Sequence, residues 1–488
     1  MGGNYEKSIY NQLIEVMERL ESVEKELKNE KKEHKNDVIK LNEEISRLEN
    51  IIDEKERQIK ILLEDNERLK RIINNNSSNC SMPPSTDQKC KSANQYNSRK
   101  KSGKKPGGQK GHRGTTLTKK DVEEKLKTGK YSHKITRIGK GYGKYVVKYI
   151  LDFEVVPIIN EIRIYENEEG NFDIPGEYKS DVTYGPFLKS VAVDLYAEGS
   201  MSNEKICQFI NTLTENTLEV SSGSIYSFCK SFSVKTEENI RQIEKELLNE
   251  ETICTDATVV TVGGKQAYIR NFSSNEAVLY TALEKKSIKA LDEIPLLTSY
   301  SGTLEHDHET ALYHYGTGHG ECNVHLLRYL KKNTEETGTK WASDMSTFLC
   351  GINNERKKHI SDETYFTDEE ISTYEKRYDE ILADGKEQNK TTKGKIAKQE
   401  EKALLGRLEK YKENHLLFIH DFSVPFENNM SERDLRKCKN HQKISGGFRK
   451  YSGNEMYCRI MSVVETYKRK GMKVMENIRK VFEGTPAF

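Results

Sequence analysis

The sequence predicts an α/β protein whose core carries a helical insertion and is preceded by a long N-terminal coiled coil and a basic flexible arm. Three observations predict it. Over the first 74 residues apolar side chains recur at alternating steps of four and three, the spacing of a coiled-coil seam. Residues 75–118 then lose apolar side chains and gain Asn, Ser, Gly, Pro and Lys. Beyond residue 250, β-branched runs and helical periods alternate in the order β, β, β, α, β, α, β, α, as in one mixed sheet with covering helices.

At 488 residues the chain is long enough for several units, since domains usually hold about 100–200 residues. Charged residues make up 32% and hydrophobic ones only 34%, so a sizeable part is expected as solvated helix or arm. The net charge of +2 hides a patchy distribution, with Lys and Arg gathered at 89–113 and 433–450. Nine cysteines without a C-x-x-C pair fit reduced thiols better than a disulfide framework. No window approaches the roughly 18 apolar residues of a membrane span, and the N-terminus has no apolar signal core. These features lead to the expectation of a soluble, intracellular protein.

Residues 1–74 carry the seam. It runs through Ile9, Leu13, Val16, Leu20, Val23 and Leu27, then Val38, Leu41, Ile45, Leu48 and Ile52, then Ile59, Leu62, Leu69 and Ile73. The eleven-residue step from Leu27 to Val38 resembles a stutter. Asn66 falls at an a-type position, where a polar residue fixes register and oligomer state. A self-associating helix is expected, the alternative being a single solvated helix. Residues 75–118 cannot make a core. Lys89, Lys91, Arg99, Lys100, Lys101, Lys104, Lys105, Lys110 and Arg113 make this stretch either a DNA-contacting arm or a solvated linker.

Residues 119–180 hold the β-prone stretches KYVVKYILDFEVV and NEIRIYENE, ending in a Glu-Glu-Gly turn, and read as a small β unit. Residues 181–250 show helical periods in FLKSVAVDLYAE, NEKICQFINTLTE and SSGSIYSFCKSF, the last capped by Ser222 or Ser224. This segment is either DNA-binding, as a helix-turn-helix, or a helical layer supporting the core.

The first part of the core spans 251–334. ICTDATVV carries Asp256, Gly263-Gly264 forms a tight turn, and KQAYIRNF returns as a hairpin. AVLYTAL follows, then a helical stretch from Ser287 to Leu297, then GTLEHD ending at Asp307. This element order is that of a ribonuclease-H-like fold, in which Asp256 and Asp307 come side by side on neighbouring strands. Residues 335–415, free of proline and strongly charged, read as inserted helices with Trp341, the single tryptophan, at their start. Residues 416–488 complete the core, with Asn429 or a neighbour starting a helix that holds Glu432 in its first turn.

Two aspartates and a glutamate are hard oxygen ligands of the kind Mg²⁺ takes. Two such ions about 3.5–4 Å apart activate an attacking water or 3′-hydroxyl and stabilise the leaving oxygen of a phosphodiester. Asp256, Asp307 and Glu432 are therefore the candidate catalytic and metal-binding residues, with Mg²⁺ or Mn²⁺ the expected ions and zinc not expected. Ordinary explanations stand beside this reading. Glu432 has the spacing of a capping-box partner to Asn429, and Asp307 is placed to cap a following helix. Past Glu432, Arg433, Arg436, Lys437, Lys439, Lys443, Arg449 and Lys450 form a basic run. It reads as DNA-contacting, with Gly446-Gly447 allowing close backbone approach to phosphate, or as solvated helix charge.

The chain resembles the transposases of the IS66 family of bacterial insertion sequences. The resemblance lies in the leucine-rich coil, NNNSSNCSMPPSTD, KKSGKKPGGQKGHRGTTL, YGPFLKSVAVDLY, CTDATVV, LEHDHETALY, ECNVHLLRYL and, most specifically, VPFENNMSERDLRKCKNHQKISGGFR. It implies a DDE-type enzyme whose triad falls on Asp256, Asp307 and Glu432. It also implies DNA as substrate and partner, accessory proteins of the same element, and a bacterial, cytoplasmic, nucleoid-associated location. Cys322 and His325 match a C-x-x-H motif of the family; two ligands are too few for a closed zinc site, so they are expected to support or position. His306 and His308, flanking Asp307, either orient the metal site or lie on the surface. Two departures stand out: residues 119–180 lack the cysteines of the family's zinc module, and Ala257 follows Asp256 where the family commonly has an acidic residue. The competing expectation is a self-associating DNA-binding protein with a catalytically decayed core.

Overall fold

Neither glycine nor proline occurs between Asn4 and Asn74, and α1 runs unbroken over Gly3–Asn74. At 1.5 Å per residue it is about 108 Å long. The seam residues Leu13, Val16, Leu20, Val23 and Leu27 are each about half exposed along it. The computed structural model describes residues 3–74, 117–138 and 143–485. The arm with Lys89, Lys91, Arg99, Lys100, Lys101, Lys104, Lys105, Lys110 and Arg113 lies outside the described residues. The chain divides into two units, residues 1–87 and 88–488, and the second carries everything that follows.

A capping box opens α2 (Lys119–Lys127): the Thr118 N–H donates to the Asp121 carboxylate at 2.7 Å, and the Asp121 N–H donates back to the Thr118 hydroxyl. The small β unit expected over 119–180 is not built as a sheet. The described residues 130–138 and 143–185 contain no strand, and Ile150, Val156 and Ile159 are 93%, 73% and 96% exposed. β-branched composition favours a strand only where a ladder partner and an apolar face to bury exist, and among the described residues this stretch meets neither. The Glu-Glu-Gly turn does form, the Asn167 side chain accepting from the Glu169 and Asn171 N–H groups.

Four helices follow: α3 (Pro186–Ala197), α4 (Asn203–Leu213), α5 (Ser222–Lys235) and α6 (Glu237–Leu248). The cap of α5 is Ser221, one residue before the expected Ser222, and its hydroxyl accepts the Ser224 N–H at 3.1 Å. Ala192, Val193, Ile206, Ile225, Phe232 and Ile243 are buried in the same apolar core as the sheet.

The sheet starts with β1 (Thr252–Val262) and β2 (Lys265–Ser273), antiparallel around Gly263 and Gly264. Both glycines are left-handed, at φ 56° and 78°, as a two-residue hairpin turn demands. β3 (Val278–Leu283) pairs antiparallel with β2. The expected helical stretch before β4 is broken ahead of Pro295 into α7 (Ile288–Leu291) and α8 (Pro295–Ser299), because proline has no N–H and disfavours helix in the residue before it. β4 (Thr303–His306) and β5 (Gly318–Glu321) complete a mixed sheet of order β3-β2-β1-β4-β5, in which β1, β4 and β5 run parallel.

A second core belongs to the inserted helices, α9 (Asn323–Thr337), α10 (Trp341–Ser361), α11 (Asp368–Thr391), α12 (Lys395–Lys410) and α13 (Lys412–His420). Leu330, Trp341, Leu349, Tyr378, Leu405 and Leu416 meet there. The Trp341 indole N–H donates to buried Glu401 at 2.7 Å. Gly385 lets α11 close on that ring, since a Cβ there would lie 2.9 Å from Trp341 Cδ2.

The chain then returns to the sheet through α14 (Asn429–Ser445), α15 (Tyr451–Arg469) and α16 (Val474–Phe482). Helix α15 covers the β3 edge and satisfies its outward donors: Ser462 Oγ accepts the Tyr280 N–H at 2.8 Å and Thr466 Oγ1 the Val278 N–H at 3.2 Å. An edge so covered no longer offers a template for another strand. Between α14 and α15, Gly447 has φ 108° and passes so close to β1 that a Cβ would lie 2.7 Å from the Thr261 carbonyl oxygen. Gly446-Gly447 thus makes a close approach to the β1 backbone, where the Phe448 N–H donates to the Thr261 carbonyl at 2.8 Å.

Candidate active site

The parallel register of β1 and β4 pairs Thr252 with Thr303, Ile253 with Leu304 and Cys254 with Glu305. Two steps further along each chain come Asp256, on β1, and Asp307, directly after β4. The two aspartates thus emerge level with each other on strands about 4.8 Å apart. Glu432 arrives from a distant part of the sequence because the start of α14 is pinned to β1: the Asn428 side chain donates to the Thr255 carbonyl at 2.8 Å. His325 of α9 joins them, its Nε2 lying 3.3 Å from Asp307 Oδ2 and 3.8 Å from Glu432 Oε1.

The capping alternatives are not used. The N-cap of α14 is Asn428 and makes no side-chain cap bond; Glu432 instead faces Arg436 at 3.5 Å and Arg328 at 3.9 Å. The short 3-10 helix after Asp307, Thr310–His314, has Glu309 at its N-cap and likewise no side-chain cap.

Burial raises the Asp256 carboxyl, and nearby Asp307 adds to that, while the Ala257 N–H donating to its Oδ1 at 2.6 Å works against it. Burial also pushes Asp307 up to about 6, opposed by Arg407 and Arg328 and reinforced by Glu432. Burial and then Arg328 push His325 down to about 4, so at neutral pH its contact with Asp307 joins a neutral ring to a carboxylate. Acids that raise one another in a partly desolvated place are relieved by a cation. As they stand, no three His, Cys, Asp or Glu side chains among the described residues form a closed ligand group. Asp256 Oδ1 is turned to the Ala257 N–H and Glu432 is shared between two arginines. The donor chemistry nevertheless fits a hard divalent ion, which Asp256, Asp307 and Glu432 could hold once they turn from these partners.

The raised Asp307 carries a stability consequence. Its folded value of about 6 exceeds the ordinary 3.8, so ionisation penalises folding: not below about pH 4, increasingly between pH 4 and 6, and fully above pH 6. Without divalent ions, Asp307→Asn is expected to stabilise the protein above pH 6 by on the order of 2 kcal/mol and to add nothing at pH 4. Thermal melts at the two pH values check this, and an equal shift at both would contradict it.

The other expected residues take different places. Cys322 is buried, and its Sγ accepts the Asn428 N–H at 3.2 Å; it braces the start of α14 and does not face a site with His325. His306 is buried against Tyr313 and His319, and burial followed by His319 lowers it to about 3, so it is a neutral packing residue and not a surface one. His308 bonds Glu321 at 2.7 Å. Lys437, expected as a DNA contact, is drawn into ion pairs with Glu198 and Glu465. Arg433, Arg436, Lys439, Lys443, Arg449 and Lys450 are exposed.

Sequence reasoning missed Glu321. It lies at the end of β5 and receives His308, Tyr313, Arg407 of α12 at 2.7 Å and His415 of α13 at 3.1 Å. Burial opposes its ionisation, but the bonds from His308, His415 and Arg407 hold it well below the usual carboxylate range. This hub ties the inserted helices to the residue next to Asp307. Only the alternation of histidines around LEHDH and GHGEC hinted at it.

Fold and site define an α/β protein with an acidic cluster where the parallel pairing of β1 and β4 ends, beneath a helix start. The family model described as Transposase IS66 family matches residues 188–456, and the chain belongs to that family. It is accordingly a transposase, and DNA is its partner. No curated protein matches the sequence. Among the described residues no helix is long and apolar enough to cross a membrane.

Proposed function

We propose that this transposase is of the DDE type: a ribonuclease-H-like core that cleaves the ends of its insertion sequence and joins them to target DNA. The strand order β3-β2-β1-β4-β5 supports the fold reading. The observation that carries the chemistry is the meeting of Asp256, Asp307 and Glu432, two level on adjacent parallel strands and the third linked to Asp307 through His325. Mg²⁺ or Mn²⁺, two ions held by these carboxylates, would supply an activated water or 3′-hydroxyl and stabilise the leaving oxygen. The protein's part is positioning. The Asn428–Thr255 bond holds α14 over β1, and neutral His325 keeps Asp307 and Glu432 within reach of one site without adding charge.

The test is strand cleavage and strand transfer on DNA bearing the element's own ends, with Mg²⁺ or with chelator, comparing the protein with Asp256→Asn, Asp307→Asn and Glu432→Gln. Cleavage lost in chelator and in each variant supports the reading. Salt-sensitive binding without cut strands in any condition favours the decayed core, to which Ala257 after Asp256 lends some weight.

We also propose that α1 is the oligomerisation element. A seam of exposed Leu, Val and Ile sustained over many turns stays out of water only against a partner helix. Deleting residues 1–74 is expected to lower the sedimentation mass to that of one chain; an unchanged subunit number would overturn the assignment.

A further inference from the structure

Cations that were not expected together surround the acidic cluster, among them Arg270, which is paired with Glu309 at 2.6 Å and lowers Asp256 by its charge. Lys286, between β3 and α7, lies 3.7 Å from Glu309 and lowers both Asp256 and Asp307 by its charge. Arg407 is spent on Glu321 at 2.7 Å. Arg328 differs from all three. It sits on α9 one turn after His325, is about a quarter exposed, and acts on Asp307 and His325 by its charge. Its ion-pair partner is Glu432 at 3.9 Å, longer than a hydrogen bond. A guanidinium carries five donors in a planar fork suited to phosphate, and at this distance none makes a hydrogen bond to Glu432.

We infer that Arg328 is a phosphate-binding residue of the active site, taking a backbone phosphate beside the bond to be cut. The inference rests on the DDE reading of the site. With Glu432 engaged by a divalent ion, Arg328 would lose its ion-pair partner and keep its partly desolvated position, where a phosphodiester is the natural anion to replace it. The exposed cations Arg433, Lys443 and Arg449 touch DNA, if at all, from a water-screened surface. Arg328 meets it at the reacting phosphates.

The experiment uses the full chain and duplexes of the element end in which single phosphates around the cut are replaced by uncharged methylphosphonates. Binding is measured in Ca²⁺ and cleavage in Mg²⁺, for the protein, Arg328→Ala and Arg328→Lys. Arg328→Ala is expected to weaken binding about tenfold or more, as loss of a charge-assisted hydrogen bond does. One methylphosphonate position should weaken the protein by a like factor and leave Arg328→Ala unaffected, and Arg328→Lys should recover part of the loss. Effects of Arg328→Ala and methylphosphonate that multiply at every position, or binding by Arg328→Ala within twofold of the protein, would overturn the inference. Because the coupling is read from binding, it is decided even if the Mg²⁺ arm shows no cleavage, a result that counts against the DDE reading alone.

Discussion

Asp256→Asn is expected to abolish strand cleavage while leaving the fold and DNA binding intact. Asp256 stands on β1 opposite Asn271 with its backbone N–H bonded to the Asn271 side chain at 3.2 Å. An amide there keeps shape and volume but loses the anionic oxygen that a divalent ion requires. A metal ion supplies several kcal/mol of transition-state stabilisation, so the loss is expected at roughly a thousandfold or more. Asp307→Asn and Glu432→Gln are expected to match it, because residues that act as one unit do not contribute additively. Cleavage rates for single and double variants check this. A single variant with cleavage near that of the unaltered protein removes that residue from the triad, and losses that multiply in the double variants contradict a shared site.

Trp341→Ala is expected to be the most destabilising single change in the inserted helices, by about 3–5 kcal/mol. Trp341 has no exposed surface, Gly385 is cut to fit its ring, and its N–H holds Glu401. Truncation leaves a cavity and removes one of the donors to Glu401, whose oxygens keep Thr339, Thr392 and Asn389. Chemical denaturation reads the loss. Because Arg407 and His415 of the same helical unit hold Glu321 beside the Asp307 turn, the weakened insertion is also expected to slow cleavage without touching the acids. A variant whose stability falls by no more than about 0.5 kcal/mol, the range of ordinary surface substitutions, would mean that the second core does not depend on this ring.

Much of the architecture was legible because it is written in local rules. The unbroken α1, the Gly263-Gly264 hairpin and the strands around Asp256 and Asp307 follow from periodicity, turn chemistry and the absence of helix breakers, all of which act over a few residues. The stretch 143–168 shows the limit of those rules. Its Val, Ile and Tyr residues carry strand propensity, yet strand formation is a property of pairs, and among the described residues this stretch has no ladder partner. Lys437 shows the same limit for charge, since a basic run looks uniform until Glu198 and Glu465 claim one of its members.

The sequence by itself determined the unbroken first helix with its apolar seam, the Gly263-Gly264 hairpin and the placing of Asp256 and Asp307 at neighbouring strands. Only the tertiary structure decided that the register of β1 with β4 sets Asp256 level with Asp307, that Asn428 brings Glu432 to them from over a hundred residues away, and that His325, Arg328 and the Glu321 hub close around them. Ligand type and helix period are local properties of the chain. Register, burial and the long-range hydrogen bonds that bring distant carboxylates together exist only once the chain has packed.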